Sequence, residues 1–144
     1  MPLPRRARPA TVSRMAPVRV LAVDDQPIFL RTLRQLVAAA PGFELAGEAQ
    51  SGAEALDLAA RLRPDLVLLD VRMPDMDGVE TARRLLAADP RAAVVLISLD
   101  PLPDRQAVLE LGVADFVRKQ ELSVRRLQEV WAARPVGAGT RQGA

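Results

Sequence analysis

Short, nearly unbroken apolar runs alternate along the chain with segments whose apolar residues recur every three to four positions. The runs Val18–Val23, Leu66–Leu69 and Ala93–Ile97 are almost wholly apolar, as strands buried on both faces must be. Phe43–Ala49 and Ala114–Val117 complete five predicted strands. The intervening spacing predicts helices over Pro27–Ala40, Gly52–Leu62, Gly78–Ala88, Asp104–Leu111 and Glu121–Ala133. In the first, Phe29, Leu33, Leu36, Val37 and Ala40 make one stripe that faces a sheet. Ser51 and Glu54 form an S-x-x-E capping box at the start of the second. Leu127, Val130 and Trp131 make the inward face of the last. Five strand–helix units of this length imply an α/β domain, a parallel sheet covered by helices on both sides.

The ends break the pattern. Residues 1–16 combine Pro2, Pro4 and Pro9 with Arg5, Arg6, Arg8 and Arg14 and carry no apolar period, which reads as a disordered basic extension. Met15, just before the first strand, stands as an alternative translation start. Residues 135–144, with Gly137, Gly139 and Gly143, read as a flexible tail, and residues 17–134 as the domain, with no output domain after it. The quoted pI of 10.3 misleads, because with no His, Cys or Tyr a small excess of base carries it far up. Residues 17–134 hold 15 basic against 18 acidic groups, a net of −3, so charge gives no support to direct nucleic-acid binding. The absence of cysteine and histidine excludes disulfides, thiolate or imidazole metal sites and Ser-His-Asp or Cys-His catalysis. No apolar run approaches the roughly 20 residues of a membrane span, and no signal-peptide pattern is present. The expectation is a soluble, cytoplasmic protein without membrane contact.

Ligands of open parallel sheets bind beyond the carboxyl ends of the strands. There stand Asp24 and Asp25 after the first strand, Asp70 after the third, Ser98 after the fourth and Lys119 after the fifth. A lone polar residue at a strand end is ordinary loop chemistry. Three carboxylates converging on one edge are different, because like charges at short range need a cation or a proton to relieve them. Oxygen donors without His or Cys suit Mg²⁺. Lys119 is the one lysine beside nineteen arginines, and a compact ammonium serves a phosphoryl group as a point charge.

These residues carry a resemblance. Val-Asp24-Asp25, Leu-Leu-Asp70-Val-Arg-Met-Pro-Asp-Met-Asp-Gly78, Ile-Ser98 and Phe116-Val-Arg-Lys119 resemble, in order and spacing, the receiver domain of bacterial two-component response regulators. The Asp70-to-Ser98 interval, and Gln120 in place of a proline after Lys119, look most like the NarL/FixJ subgroup. The resemblance implies a flavodoxin-like (βα)5 three-layer sandwich with strand order 2-1-3-4-5. It implies that Asp70 is the phosphoacceptor, forming 4-aspartylphosphate with a sensor histidine kinase as donor. By the same resemblance, Asp25, Asp70 and the Arg72 backbone carbonyl bind Mg²⁺, with Asp24 acting largely through water. Ser98 and Lys119 contact phosphoryl oxygens, and Phe116 is the aromatic that reports the switch. The partners implied are that kinase and a downstream protein, with a homodimer left open and no enzymatic activity beyond the domain's own phosphorylation and dephosphorylation.

Three departures from the family pattern stand out, two of them in the loop after the fourth strand. Leu99 stands where a small residue is usual, a size that would either crowd the phosphoryl pocket or cover it against water. Asp100-Pro101-Leu102-Pro103 carries two prolines, and the Ser98–Gly112 interval is about one residue short. Arg72, two residues past Asp70, brings a charge within reach of a phosphate. Beside a stand-alone receiver, two readings stay open: the receiver part of a LuxR/NarL-type DNA-binding regulator, and a pseudo-receiver that works without phosphorylation.

Overall fold

The computed structural model describes residues 16–101, 104–135 and 137–139. The expected arm therefore lies outside the described residues except for Ala16, as do Leu102, Pro103, Val136 and residues 140–144. Five parallel strands, β1 (Val18–Val23), β2 (Phe43–Ala49), β3 (Leu66–Asp70), β4 (Ala93–Ser98) and β5 (Asp115–Arg118), form one sheet of order β2-β1-β3-β4-β5. This is the flavodoxin-like order. The helices are α1 (Pro27–Ala39), α2 (Gly52–Leu62), α3 (Gly78–Ala88), α4 (Arg105–Leu109) and α5 (Val124–Ala132).

Period-two alternation sends successive strand residues to opposite cores. Val20, Ala22, Leu66, Leu68, Val95 and Ile97 pack on one face against Leu30, Leu33 and Val37 of α1 and Leu127 and Val130 of α5. Leu21, Val23, Val67, Leu69, Val94 and Leu96 pack on the other against Ala55 of α2, Ala82 and Leu85 of α3 and Val108 of α4. Every residue of β3 and β4 is buried, while β2, at the sheet edge, is mostly half-buried. At the opposite end of the strands, Asp65 accepts the backbone N–H of Arg19, whose guanidinium donates to the Leu62 carbonyl.

Differences from the expected bounds have local causes. β3 and β4 each run one residue further, because Asp70 pairs with Ile97 and Ser98 with Arg118 in the ladder. α4 is shorter than expected: Asp104 caps it through the Ala107 N–H, and Gly112 at φ +98° ends the turn that follows. α5 begins late because the Ser123 hydroxyl caps it through the Arg126 N–H, after a single 3-10 turn at Lys119–Glu121. The capping box holds, with Ser51 accepting from the Glu54 N–H and the Glu54 carboxylate accepting from the Gln50 N–H. Past α5, Arg134 stacks 3.7 Å over the Trp131 ring and donates to the Ala138 carbonyl, so residues 137–139 turn back against the helix.

Gly78 opens α3 with its Cα pressed on the end of β3. A Cβ there would meet the Asp70 carbonyl and stand 2.7 Å from Val71 Cα, while the Gly78 N–H donates to the Val71 carbonyl at 2.7 Å. We expect Gly78→Ala to lower stability by about 1–3 kcal/mol, the usual cost of overpacking against backbone. Denaturant unfolding measures it, and an unchanged midpoint would show that the β3–α3 junction is pliable.

Candidate functional site

Adjacency of β1 and β3 sets the site. Val23 pairs with Leu69, so Asp24, one residue on, comes beside Asp70 at the strand ends. Asp24, Asp25 and Asp70 each offer a carboxylate oxygen within 4.8 Å of the others. Asp24 is fully buried and Asp70 nearly so, while Asp25 is half-buried. Lys119, delivered by the end of β5, reaches in with its side chain only 7% exposed. Its Nζ stands 2.7 Å from Asp24 Oδ2 and 3.4 Å from Asp70 Oδ1. Asp24 Oδ1 accepts the Gln26 N–H, but Oδ2 has no hydrogen bond of good geometry, so its contact with the ammonium is Coulombic. The third neighbour of that ammonium is the ring of Phe29, whose centroid lies 4.2 Å away.

Ser98, buried at the end of β4, faces an open cleft of about 490 Å³ lined also by Val71, Arg72, Met73, Pro74, Asp77 and Pro101. Its hydroxyl accepts the Asp100 N–H, which leaves the hydroxyl proton free to donate. Asp100 also holds Arg72 by an exposed ion pair of 3.4 Å, a contact the sequence did not announce because its partners come from different loops. Leu99 is 61% exposed and does not line the cleft, so the cover expected from it is not in place. Phe116 is buried among the residues of the α2–α3–α4 face, with the Arg105 guanidinium 5.9 Å from its ring centroid. A more apolar groove between α2 and α3, toward the amino ends of β3 and β4, contains none of the expected site residues.

A magnesium ion fits the donor set. Three carboxylate oxygens converge, no nitrogen or sulfur ligand stands near, and a buried Asp24 oxygen lacks a directional partner. The residues that would hold it are Asp25 and Asp70, with Asp24 beside them. Burial pushes the Asp70 carboxyl up to about 6, and the Asp24 charge adds to the rise. Lys119 and the backbone N–H of Arg72 pull in the other direction without cancelling it.

The family model for the response regulator receiver domain matches residues 20–131. Protein-glutamate methylesterase/protein-glutamine glutaminase 4 of Myxococcus xanthus is 45% identical over 105 residues, covering 72% of this chain and 30% of its own. The response regulator GacA of Pseudomonas aeruginosa is 34% identical over 121 residues, covering 80% of this chain and 56% of its own. The signal receiver domain of NarL from Mycobacterium tuberculosis superposes with a TM-score of 0.74 at 32% identity, over 82% of this chain and 98% of that one. The CheX–CheY–BeF3–Mg²⁺ complex from Borrelia burgdorferi gives 0.71 at 29% identity, over 80% and 87%. The chain spans 27% to 56% of the length of the curated relatives it matches.

The raised Asp70 carboxyl makes a prediction with a definite sign. Above the usual carboxylate range the unfolded chain has given up this proton, whereas the metal-free folded protein keeps it until about pH 6. Ionising Asp70 therefore costs stability that is absent near pH 4 and fully present by pH 7.5, on the order of 3 kcal/mol. We expect Asp70→Asn to melt several degrees above wild type at pH 7.5 in chelator, with the gap closing toward pH 4. Millimolar Mg²⁺ is expected to raise the wild-type melting temperature and to leave Asp25→Asn nearly unmoved. Parallel melting curves across pH would show that the Asp70 carboxyl is not raised in the folded protein.

Proposed function

The chain belongs to the response regulator receiver domain family, and on that premise we propose that Asp70 is its phosphoacceptor, holding the group as 4-aspartylphosphate. The observation that carries the reading is the lone lysine inserted between two buried carboxylates at the carboxyl ends of β1 and β3. In the proposed step an Asp70 carboxylate oxygen bonds to phosphorus while the P–N bond to a histidine of the sensor kinase breaks, leaving its electron pair on the imidazole. Bound Mg²⁺ would supply positive charge against the anionic phosphoryl group, held by Asp25, Asp70 and the Arg72 carbonyl, with Asp24 through water.

The chain's own residues complete the pocket. Lys119 pairs with one phosphoryl oxygen, leaving the Asp70 oxygen it now faces. Ser98 donates its free hydroxyl proton to another. Since Ser98 also carries Asp100, and Asp100 carries Arg72, that new hydrogen bond draws on the loop that follows β4 and biases it between two states. Phe116, buried behind that loop, is the proposed reporter of the change. The domain then acts through altered contacts with a downstream protein or with a second copy, in the cytoplasm, catalysing only its own phosphorylation and dephosphorylation. Among the described residues no helix is long and apolar enough to cross a membrane. Similarity to GacA and to the NarL receiver favours a second reading, in which this domain is the input part of a longer DNA-binding regulator. The full acidic set beside Lys119 supports phosphorylation over a pseudo-receiver.

With Mg²⁺ and a small acyl-phosphate donor, intact-mass analysis is expected to show one added phosphoryl group. Asp70→Asn should show none, and chelation of the metal should slow the reaction; full labelling of Asp70→Asn would refute the assignment. Because Leu99 lies in solvent, Leu99→Ala is expected to lose its phosphoryl group within about twofold of the wild-type rate, far less than the tenfold that a 1.4 kcal/mol barrier change would produce.

A further inference from the structure

Phe29 occupies the α1 stripe that periodicity assigns to the core, yet it is only half-buried, and its ring face lies 4.2 Å from the Lys119 ammonium. We propose that Phe29 is a positioning residue for Lys119, holding the ammonium in front of Asp70 where a phosphoryl oxygen would meet it. The inference rests on Asp70 being the phosphoacceptor.

Geometry and charge support it together. Two carboxylates compete for the ammonium, and the nearer is Asp24 at 2.7 Å, not Asp70 at 3.4 Å. With the ring beside it, Lys119 rests nearest Asp24 while keeping Asp70 within ion-pair distance. An aromatic face attracts a cation without a directional hydrogen bond, and most strongly where water is excluded, as it is around a side chain only 7% exposed. A carbonyl in the same place would hold one N–H in a fixed direction, and that bond would have to break when Lys119 turned to the phosphoryl group. The ring lets the ammonium slide between carboxylate and phosphoryl oxygen while denying it to water. Neither Asp24 nor Asp70 can do this, because each pulls toward itself.

The test keeps shape and changes only the ring's charge distribution. Phenylalanines carrying increasing numbers of fluorines are placed at position 29 by site-specific incorporation, and phosphorylation by a small acyl-phosphate donor is followed by intact mass. The expected result is a stepwise fall in rate with each fluorine, reaching about tenfold for the most fluorinated ring. The same series at Phe43, which packs edge-on to Trp131 in the distant core, is expected to leave the rate unchanged. Because Lys119 is the only lysine, lysine-selective isotope labelling reports a single side chain by NMR. Its ε-methylene protons should lie upfield in the ring current of Phe29, and Phe29→Leu should abolish that shift. A clear ring-current shift with a rate indifferent to fluorination at position 29 overturns the positioning role and leaves Asp70 as acceptor. Absence of the shift overturns the contact itself. No phosphoryl group on wild type overturns the reading of Asp70 and the inference with it.

Discussion

Three carboxylates brought within 4.8 Å, two of them buried, repel one another strongly, and the sheet gives them no room to separate. Their adjacency is dictated by hydrogen-bonded register: β1 and β3 are neighbours, strands lie roughly 4.8 Å apart, and β3 ends in Asp70 while β1 runs straight into Asp24 and Asp25. One ammonium pairs with two of them, Asp24 and Asp70. A standing cost stays in the folded protein: burial raises the Asp70 carboxyl most, and the Asp24 charge adds to the rise. That cost makes the rim receptive to a cation and couples the chemistry of Asp70 to the charge of its surroundings.

The rest of the molecule can bear the cost because its strands are so thoroughly buried. β3 and β4 are buried on both faces, and the alternation that divides them between two cores commits each of their residues before the last to packing. The polar side chains of the site therefore come from the last strand residue, as at Asp70 and Ser98, or from the positions just past it, as at Asp24, Asp25 and Lys119. The two ends of the sheet differ in kind. Where Arg19 meets Asp65 and Leu62, charge and backbone groups find partners, whereas at the carboxyl ends they are left in excess of one sign.

Strand positions were legible in the sequence because burial on both faces leaves an apolar run that no helix of that length would show. The aspartates, Ser98 and Lys119 were legible because polar residues at the ends of such runs are counted against a fixed topology. Other features were not. The Arg72–Asp100 pair joins two loops, and no periodicity links residues 28 positions apart. Leu99 looked like a cover because size alone was visible, while its exposure depends on a backbone direction that the loop decides. Phe29 fell on the core stripe at the correct helical phase, but the stripe runs past the rim of the sheet there, so its ring meets a cation where the next turn meets leucines. The starts of α4 and α5 shifted because a capping side chain outranks the periodic pattern over one turn.

The junction at Gly78 links stiffness to signalling. The backbone of Asp70 and Val71 is packed directly against the first residue of α3, with no side chain between to absorb a displacement. Gly52 at the head of α2 is pressed instead mainly on side chains, those of Thr81 and Met76. Asp70 and α3 are thus joined through backbone, and α2 meets α3 through side chains. The loop after β4 is tied in by an exposed ion pair and a single serine hydrogen bond. A displacement of Asp70 therefore meets backbone on the α3 side, whereas the loop after β4 can adjust by giving up side-chain contacts alone.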